Sequence, residues 1–93
     1  MFDYVEANMQ LPGIKEKPPV VLQTKDLKRY LDHYRITCEG LLFRNEIGHK
    51  AYRRVRKNLN FVAYTFVGEE HQLTYWSFKF KLGKLTSVRK LKR

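Results

Sequence analysis

The stretch LNFVAYTFVGEEHQLTYWSFKFKLGKLTSVRKLKR, residues 59–93, predicts three consecutive β-strands. Residues 59–67 carry apolar side chains in both alternate sets, which is typical of a central strand. Residues 72–82 instead alternate between apolar and polar side chains. Turns are expected at 68–71 and at Leu82-Gly83, because glycine tolerates a positive φ. The stretch is therefore predicted to form an antiparallel meander.

The alternation within residues 72–82 also predicts which side chains are buried. From residue 75 onward, one set is Tyr75, Ser77, Lys79 and Lys81, and the other is Trp76, Phe78, Phe80 and Leu82. Because alternate side chains of a strand point to opposite faces, one face should be buried in the core and the other exposed to solvent. The predicted core comprises Phe61, Ala63, Trp76, Phe78, Phe80 and Leu82, with Ile36 and Leu42 from an earlier hairpin.

The first half of the chain predicts two strands and that hairpin. Residues 2–11 mix apolar and polar side chains and stop at Pro12-Gly13, which indicates a strand followed by a turn. A second strand over Val20 to Thr24 should start after Pro18-Pro19, because proline donates no ladder hydrogen bond. Further along, β-branched and aromatic residues flank Cys38-Glu39-Gly40, which predicts a tight hairpin with the glycine in the left-handed region.

Two polar segments predict short helices. In residues 24–32, Thr24 precedes apolar residues at helical spacing, which suits one or two turns capped by the threonine hydroxyl. In residues 46–57, Ala51 and Val55 are four apart, as on one face of a helix. A basic loop fits this second segment equally well.

Length and composition predict one folded domain over residues 1–93. Hydrophobic residues make up 43% of the chain and aromatic residues 14%, which is more apolar bulk than a disordered chain carries. A chain of this size can bury a core without disulfides or a metal. The expected fold class is mainly β: a small single-domain antiparallel sheet, a meander of hairpins, with at most one or two short helices.

The sequence contains no recognisable catalytic, cofactor or metal-binding pattern, so we expect a protein that is not an enzyme and takes no cofactor. His33, His49 and His71 lie far apart, without a second ligand at metal-binding spacing. Cys38 is the only cysteine, which excludes an intrachain disulfide and fits a reducing compartment. The start of the chain is acidic and no long apolar run follows, so we expect a cytoplasmic protein that does not contact a membrane.

The positive charge is concentrated in the second half of the chain. The formal net charge is +10 at pH 7. Residues 1–48 hold seven basic and seven acidic side chains, whereas residues 49–93 hold twelve basic side chains against Glu69 and Glu70. An excess confined to one half indicates an anionic partner.

Basic and aromatic residues occur together in this second half. Such a surface can pair phosphate contacts with rings on which unstacked bases lie. The alternative is a solvated surface with partly buried tyrosines. The candidate nucleic-acid-binding residues are Lys50, Tyr52, Arg53, Arg54, Arg56, Lys57, Tyr75, Lys79 and Lys81.

Short strings at both ends of the chain carry a family resemblance. They are Met1-Phe2-Asp3, Leu11-Pro12, Gln23-Thr24-Lys25-Asp26-Leu27, Tyr34-x-Ile36-Thr37, Gly40-x-Leu42 and Phe80-x-x-Gly83-x-Leu85. In this pattern the chain resembles a group of small uncharacterised proteins of tailed bacteriophages. The resemblance implies a phage-encoded protein made in the bacterial host cytoplasm, but no functional residue can be carried over. Residues 50–57 are more basic than is usual in that group.

Two functions fit these observations. The first is a small phage accessory protein that binds RNA or single-stranded DNA through the basic-aromatic surface of its second half. The second is a protein-binding factor that attaches to an acidic surface of a host enzyme or defence complex and modulates it. Neither function requires a small-molecule cofactor.

Overall fold

A computed structural model describes residues 2–27, 31–46 and 51–91, and all regular structure in these ranges is β-strand. The strands are β1 (Asp3–Ala7), β2 (Val20–Thr24), β3 (His33–Ile36), β4 (Leu42–Asn45), β5 (Arg53–Arg54), β6 (Leu59–Val67), β7 (Gln72–Lys81) and β8 (Lys84–Leu91). All eight belong to one sheet in the order β5-β4-β3-β1-β2-β6-β7-β8. The predicted class, a small mainly β domain, is confirmed.

The predicted hairpins are present in this sheet. β6, β7 and β8 are neighbours and pair antiparallel, which confirms the meander. β3 and β4 also pair antiparallel around a turn in which Gly40 has a φ of 86°. β2 begins at Val20, directly after Pro18-Pro19. The local sequence therefore predicted the β3–β4, β6–β7 and β7–β8 connections.

One strand pair departs from the antiparallel pattern. β1 pairs antiparallel with β2 on one side and parallel with β3 on the other, where Tyr4 lies opposite His33 and Ala7 opposite Ile36. The reason is topological: after the β1–β2 hairpin the chain crosses back and enters β3 in the direction of β1. The sheet is thus mixed, although all its other pairings are antiparallel.

The helix predicted over residues 24–32 is wrong in the residues described. Thr24 ends β2, residues 25–27 form bends, and residues 28–30 lie outside the described ranges. The Thr24 hydroxyl donates to the Val62 carbonyl at 2.7 Å, and the Val62 N–H donates to the Asp26 carboxylate at 2.8 Å. The hydroxyl that was expected to cap a helix instead connects two strands.

In residues 51–57, the described part of the segment beyond Glu46, the structure has a two-residue strand within irregular backbone, so the helix is wrong there and the loop is the closer prediction. Residues 47–50 lie outside the described ranges, and Arg53 and Arg54 form β5, opposite Arg44 and Phe43 of β4. The Val55 N–H continues this pairing by donating to the Leu42 carbonyl at 2.9 Å. Strand pairing across the sheet has therefore overridden a weak helical pattern.

The pairing of β2 with β6 is short. Gln23 opposite Tyr64 is the one paired position between these two strands. The side chains of Thr24 and Asp26 supplement it through their bonds to Val62. We call this junction the β2–β6 seam; it joins β1–β5 to the β6–β8 meander.

The sheet curls until its two ends meet at the β7–β8 turn. An isolated bridge joins Leu41 to Lys84, and the Leu42 N–H donates to the Gly83 carbonyl at 3.0 Å. The Gly83 N–H in turn donates to the Lys57 carbonyl at 2.9 Å. Gly83 is buried, and a Cβ atom there would overlap the Val55 carbonyl. Only glycine fits this closure.

The inner face of the curled sheet holds the core. Of the predicted core residues, Phe61, Ala63, Trp76, Phe78, Phe80, Ile36 and Leu42 are buried. Leu82 is 64% exposed, so its assignment to the core was wrong. The alternation was extended one residue past the end of β7 at Lys81, into a turn where Leu82 has a φ of 51°. The core also contains Val5, Ala7, Leu11, Leu22 and Tyr34, contributed by the first half of the chain.

Replacing Phe78 by Ala should lower the free energy of unfolding by roughly 3–5 kcal/mol, because a fully buried ring is removed from a closely packed core. Chemical denaturation measures this change. Lys79→Ala, at the next position of the same strand but exposed, should be nearly neutral and serves as the control. Equal stability of the two variants would show that the inner face is assigned wrongly.

The close approach at Gly83 predicts different costs for alanine substitutions at two glycines. Gly83→Ala should destabilise the protein by roughly 3 kcal/mol or more, since it combines a strained φ of 79° with a collision at the Val55 carbonyl. Gly68→Ala has the same backbone strain, with a φ of 80°, but its Cβ meets nothing within 4 Å. It should cost only about 1–2 kcal/mol. Thermal melts of both proteins test the difference, and equal melting would argue against the close approach.

Candidate nucleic-acid interface

Aromatic side chains form a row across the outer face of the sheet, the face opposite the core. His33 of β3 lies opposite Tyr4 of β1, Tyr4 lies opposite Gln23 of β2, and Gln23 lies opposite Tyr64 of β6. Tyr64 lies opposite Tyr75 of β7. Five neighbouring strands at about 4.8 Å spacing give the row a length of roughly 19 Å along the sheet. We call these five residues the aromatic row.

The rings of the aromatic row contact each other in pairs while remaining open to solvent. The ring centroids of Tyr64 and Tyr75 are 5.4 Å apart, and those of Tyr4 and His33 are 5.0 Å apart. The tyrosines are half-buried and His33 is exposed. Phe66, on the same face of β6, is 63% exposed. Cross-strand packing therefore holds the rings in place and leaves part of each accessible.

Cations flank one end of the aromatic row. Lys79 and Lys81 follow Tyr75 on the outer face of β7, and Arg89 of β8 lies opposite Ser77, between Tyr75 and Lys79. Lys84 lies opposite Lys81 at the end of the hairpin. All four side chains are exposed. We call Lys79, Lys81, Lys84 and Arg89 the basic stripe.

The carboxylates of the described residues do not neutralise this charge. Their ion pairs lie in the first half of the chain: Arg35 with Glu6 at 2.9 Å, and Arg44 with Asp32 at 2.7 Å and with Glu46 at 3.5 Å. None of the cations in residues 51–91 forms an ion pair with a described carboxylate. The ion pairs among described residues thus involve Arg35 and Arg44 of the first half, whereas the basic stripe is exposed to solvent.

The sequence-predicted residues occupy two different places in the fold. Tyr75, Lys79 and Lys81 lie on the outer face of β7, as the alternation predicted. Arg53, Arg56 and Lys57 instead line a cavity beside β5. Lys50 lies outside the described residues.

Two of the predicted residues already have structural partners. The Arg35 guanidinium lies 4.2 Å from the centre of the Tyr52 ring and covers that ring on one side. Arg54 Nη1 donates to the Val55 carbonyl at 2.7 Å and to the Gly83 carbonyl at 3.2 Å. Arg54 therefore helps to hold the closure of the sheet, and Tyr52 is less open to a stacked base than the aromatic row.

The β7–β8 turn brings the two places close to each other. The Leu82 N–H donates to Asn58 Oδ1 at 2.8 Å, next to the bond from the Gly83 N–H to the Lys57 carbonyl. Lys81 and Lys84 flank this turn. Positive charge is thus continuous from the basic stripe to the β5 segment.

Sequence reasoning missed Tyr4, His33, Tyr64 and Phe66. A signal for two of them existed, because the second apolar set of residues 59–67 contains Tyr64 and Phe66. That set was interpreted as the second buried face of a central strand. Tyr4 and His33 gave no local signal, since their place beside Tyr64 depends on pairings between distant strands.

Comparison with known proteins returned no matching family model, curated protein or solved structure. The described residues contain no group of three or more His, Cys, Asp or Glu side chains placed to hold a metal ion. The same part of the chain contains no helix of the length and apolarity needed to span a membrane.

One titratable group beside the β5 cavity has a strongly shifted pKa. Burial raises the pKa of Tyr34 to about 12, against the opposing effect of Arg44 and with the support of Asp3 and Asp32. The neutral phenol is therefore the form that the folded protein stabilises.

Ionisation of Tyr34 should destabilise the protein at high pH. Its stabilising contribution is complete below its ordinary pKa of 10.0 and is lost as the pH rises through about 12. The loss should reach roughly 2–3 kcal/mol. Tyr34→Phe should lose less stability between pH 10 and about pH 12. Its tyrosinate absorbance should lack the ionisation step that the parent shows at the highest pH. Identical late titrations in both proteins would contradict the assignment.

Proposed function

We propose that the protein binds single-stranded nucleic acid, RNA or single-stranded DNA, on the outer face of its sheet. The observation that carries the proposal is the aromatic row next to a basic stripe that no described carboxylate neutralises. The resemblance to phage proteins supports an accessory role in the bacterial host cytoplasm.

Phosphates and bases would contact different parts of this surface. The basic stripe would neutralise backbone phosphates and release counterions, which is the main source of affinity in such complexes. Unstacked bases would lie on the rings of Tyr4, Tyr64 and Tyr75, as two or three bases do on other exposed sheets. Duplexes should bind more weakly, because their bases are already stacked and paired.

Ring stacking and phosphate contacts favour binding without sequence preference. Every base has a face that can stack on an aromatic ring, so stacking alone discriminates little between bases. Phosphate contacts carry no sequence information. We therefore expect a general single-strand binder, whose affinity depends on strand length and salt.

An acidic protein partner is the second candidate, and one observation favours it. Val21 is 52% exposed, Phe66 63% and Leu73 43%, and they lie on the outer face near the aromatic row. Exposed apolar side chains beside charge are typical of protein interfaces. A pull-down from host lysate with and without nuclease separates the candidates: partners lost with nuclease indicate nucleic acid, and a retained acidic protein indicates a host enzyme or defence complex.

Salt titration tests the phosphate contacts. If the four cations of the basic stripe touch phosphates, log affinity for a short oligonucleotide should fall against log salt with a slope of about −3. Lys79→Glu with Lys81→Glu should weaken binding to all sequences and flatten the slope, measured by fluorescence anisotropy. Lys15→Glu with Lys17→Glu, exposed in the neutral half, is the matched control. Undetectable binding by the parent at low salt would exclude the proposal.

Ring removal tests the stacking contacts. Tyr64→Ala should lower the affinity for single strands by about 1–3 kcal/mol, roughly 5- to 150-fold, whereas Tyr64→Phe keeps the ring and should bind like the parent. Tyr52→Ala removes a tyrosine that Arg35 already covers and should have little effect. Circular dichroism confirms that each variant folds. Equal losses from Tyr64→Ala and Tyr52→Ala would show that the aromatic row has no special role.

A further inference from the structure

A cavity of about 350 Å³ lies beside β5, on the core side of the sheet. Tyr34, Arg44 and Arg53 line it and lie opposite one another on β3, β4 and β5. Residues directly opposite one another on neighbouring strands share a face of the sheet, and Tyr34 is buried, so all three lie on the core face. The aromatic row lies on the other face, so this cavity is a separate place on the molecule. Its volume lies within the range of small-molecule sites.

Three basic side chains of the cavity can bind an anionic ligand. Arg53, Arg56 and Lys57 line it, are exposed, and form no ion pair with a described carboxylate. Arg44 also lines it but is held by Asp32, through bonds of 2.7 and 3.0 Å. Three exposed cations within one cavity are suited to a phosphate group.

The carboxylates that line the cavity are already engaged. Asp26 accepts the Val62 N–H at 2.8 Å, and Glu46 pairs with Arg44 at 3.5 Å. Both keep their negative charge, but the described lining contains only these two carboxylates against five basic side chains, so it keeps a positive excess.

The remaining wall of the cavity is apolar. Leu27, Val55 and Leu59 line it, and all three are partly buried against the core. Tyr34 adds a phenol that stays protonated at neutral pH. A ligand that uses both kinds of lining should therefore combine a phosphate with a weakly polar body.

We propose that this cavity binds a nucleotide unit, with its phosphate at Arg53, Arg56 and Lys57 and its base against the apolar wall. The phosphorylated end of a bound strand and a free nucleoside monophosphate share this chemistry. The strand-end form rests on the proposed function, because the strand would continue from the cavity past the β7–β8 turn to the basic stripe. The free-nucleotide form is independent of it.

Calorimetry with adenosine monophosphate, adenosine and inorganic phosphate tests the free-nucleotide form. The monophosphate should bind at least about 10-fold more tightly than either fragment, since only it uses both parts of the cavity. Arg53→Ala with Arg56→Ala should reduce this binding about 10-fold or more. Ala51→Trp, at an exposed lining position, should block it by filling the cavity. Lys15→Glu with Lys17→Glu changes exposed residues outside the cavity lining and should leave this binding unchanged.

Oligonucleotides test the strand-end form. A linear strand with a terminal phosphate should bind more tightly than the same strand without one, and Arg53→Ala with Arg56→Ala should abolish the difference. A circular strand has no end, so its binding reports on the outer face alone. If the circle fails to bind while the monophosphate binds, the proposed function is wrong and the cavity proposal stands. If neither the monophosphate nor the terminal phosphate is preferred, or if Ala51→Trp and the arginine variant leave both preferences intact, the cavity proposal is overturned.

Discussion

The contact between Gly83 and the Val55 carbonyl is the constraint on which the curled shape depends. The β7–β8 turn fits against the β5 segment only because position 83 has no Cβ atom, and the backbone bonds to Leu42 and Lys57 form around it. Without this contact the sheet would have two open ends and a core exposed along one side. The same contact places the basic β7–β8 turn beside the basic β5 segment. Structural closure and concentration of charge therefore have one origin.

The two faces of the sheet carry different side chains because strand side chains alternate. The inner set of β7 supplies Trp76 and Phe78 to the core, and the outer set supplies Tyr75 and Lys79 to solvent. Stability depends mainly on the inner set, so substitutions in the outer set should cost little stability. This separation explains why an aromatic surface is compatible with a folded, highly charged protein: the exposed rings are supported by cross-strand neighbours rather than by burial.

Sequence patterns predicted the features that depend on interactions between residues close in sequence. The meander, the hairpin at Gly40 and most of the core follow from alternation and turn residues. Leu82 was misplaced because alternation does not reveal where a strand ends, and the role of Thr24 was missed because its partner, Val62, is distant in sequence. The candidate site was predicted only in part for the same reason. Tyr75 and Lys79 lie on one strand, whereas the neighbourhood of Tyr75 and Tyr4 depends on the order of four strands, β1, β2, β6 and β7.

The β2–β6 seam has a mechanical consequence. A sheet bends most readily where the fewest ladder bonds cross it, and one paired position joins β2 to β6 whereas nine join β6 to β7. The two parts of the sheet are also joined by the closure at Gly83, so any bending between them should be centred on this seam and limited by that closure. The aromatic row crosses the β2–β6 seam between Gln23 and Tyr64. Bending there would change the distance between the Tyr4–His33 pair and the Tyr64–Tyr75 pair, while the packing within each pair is kept.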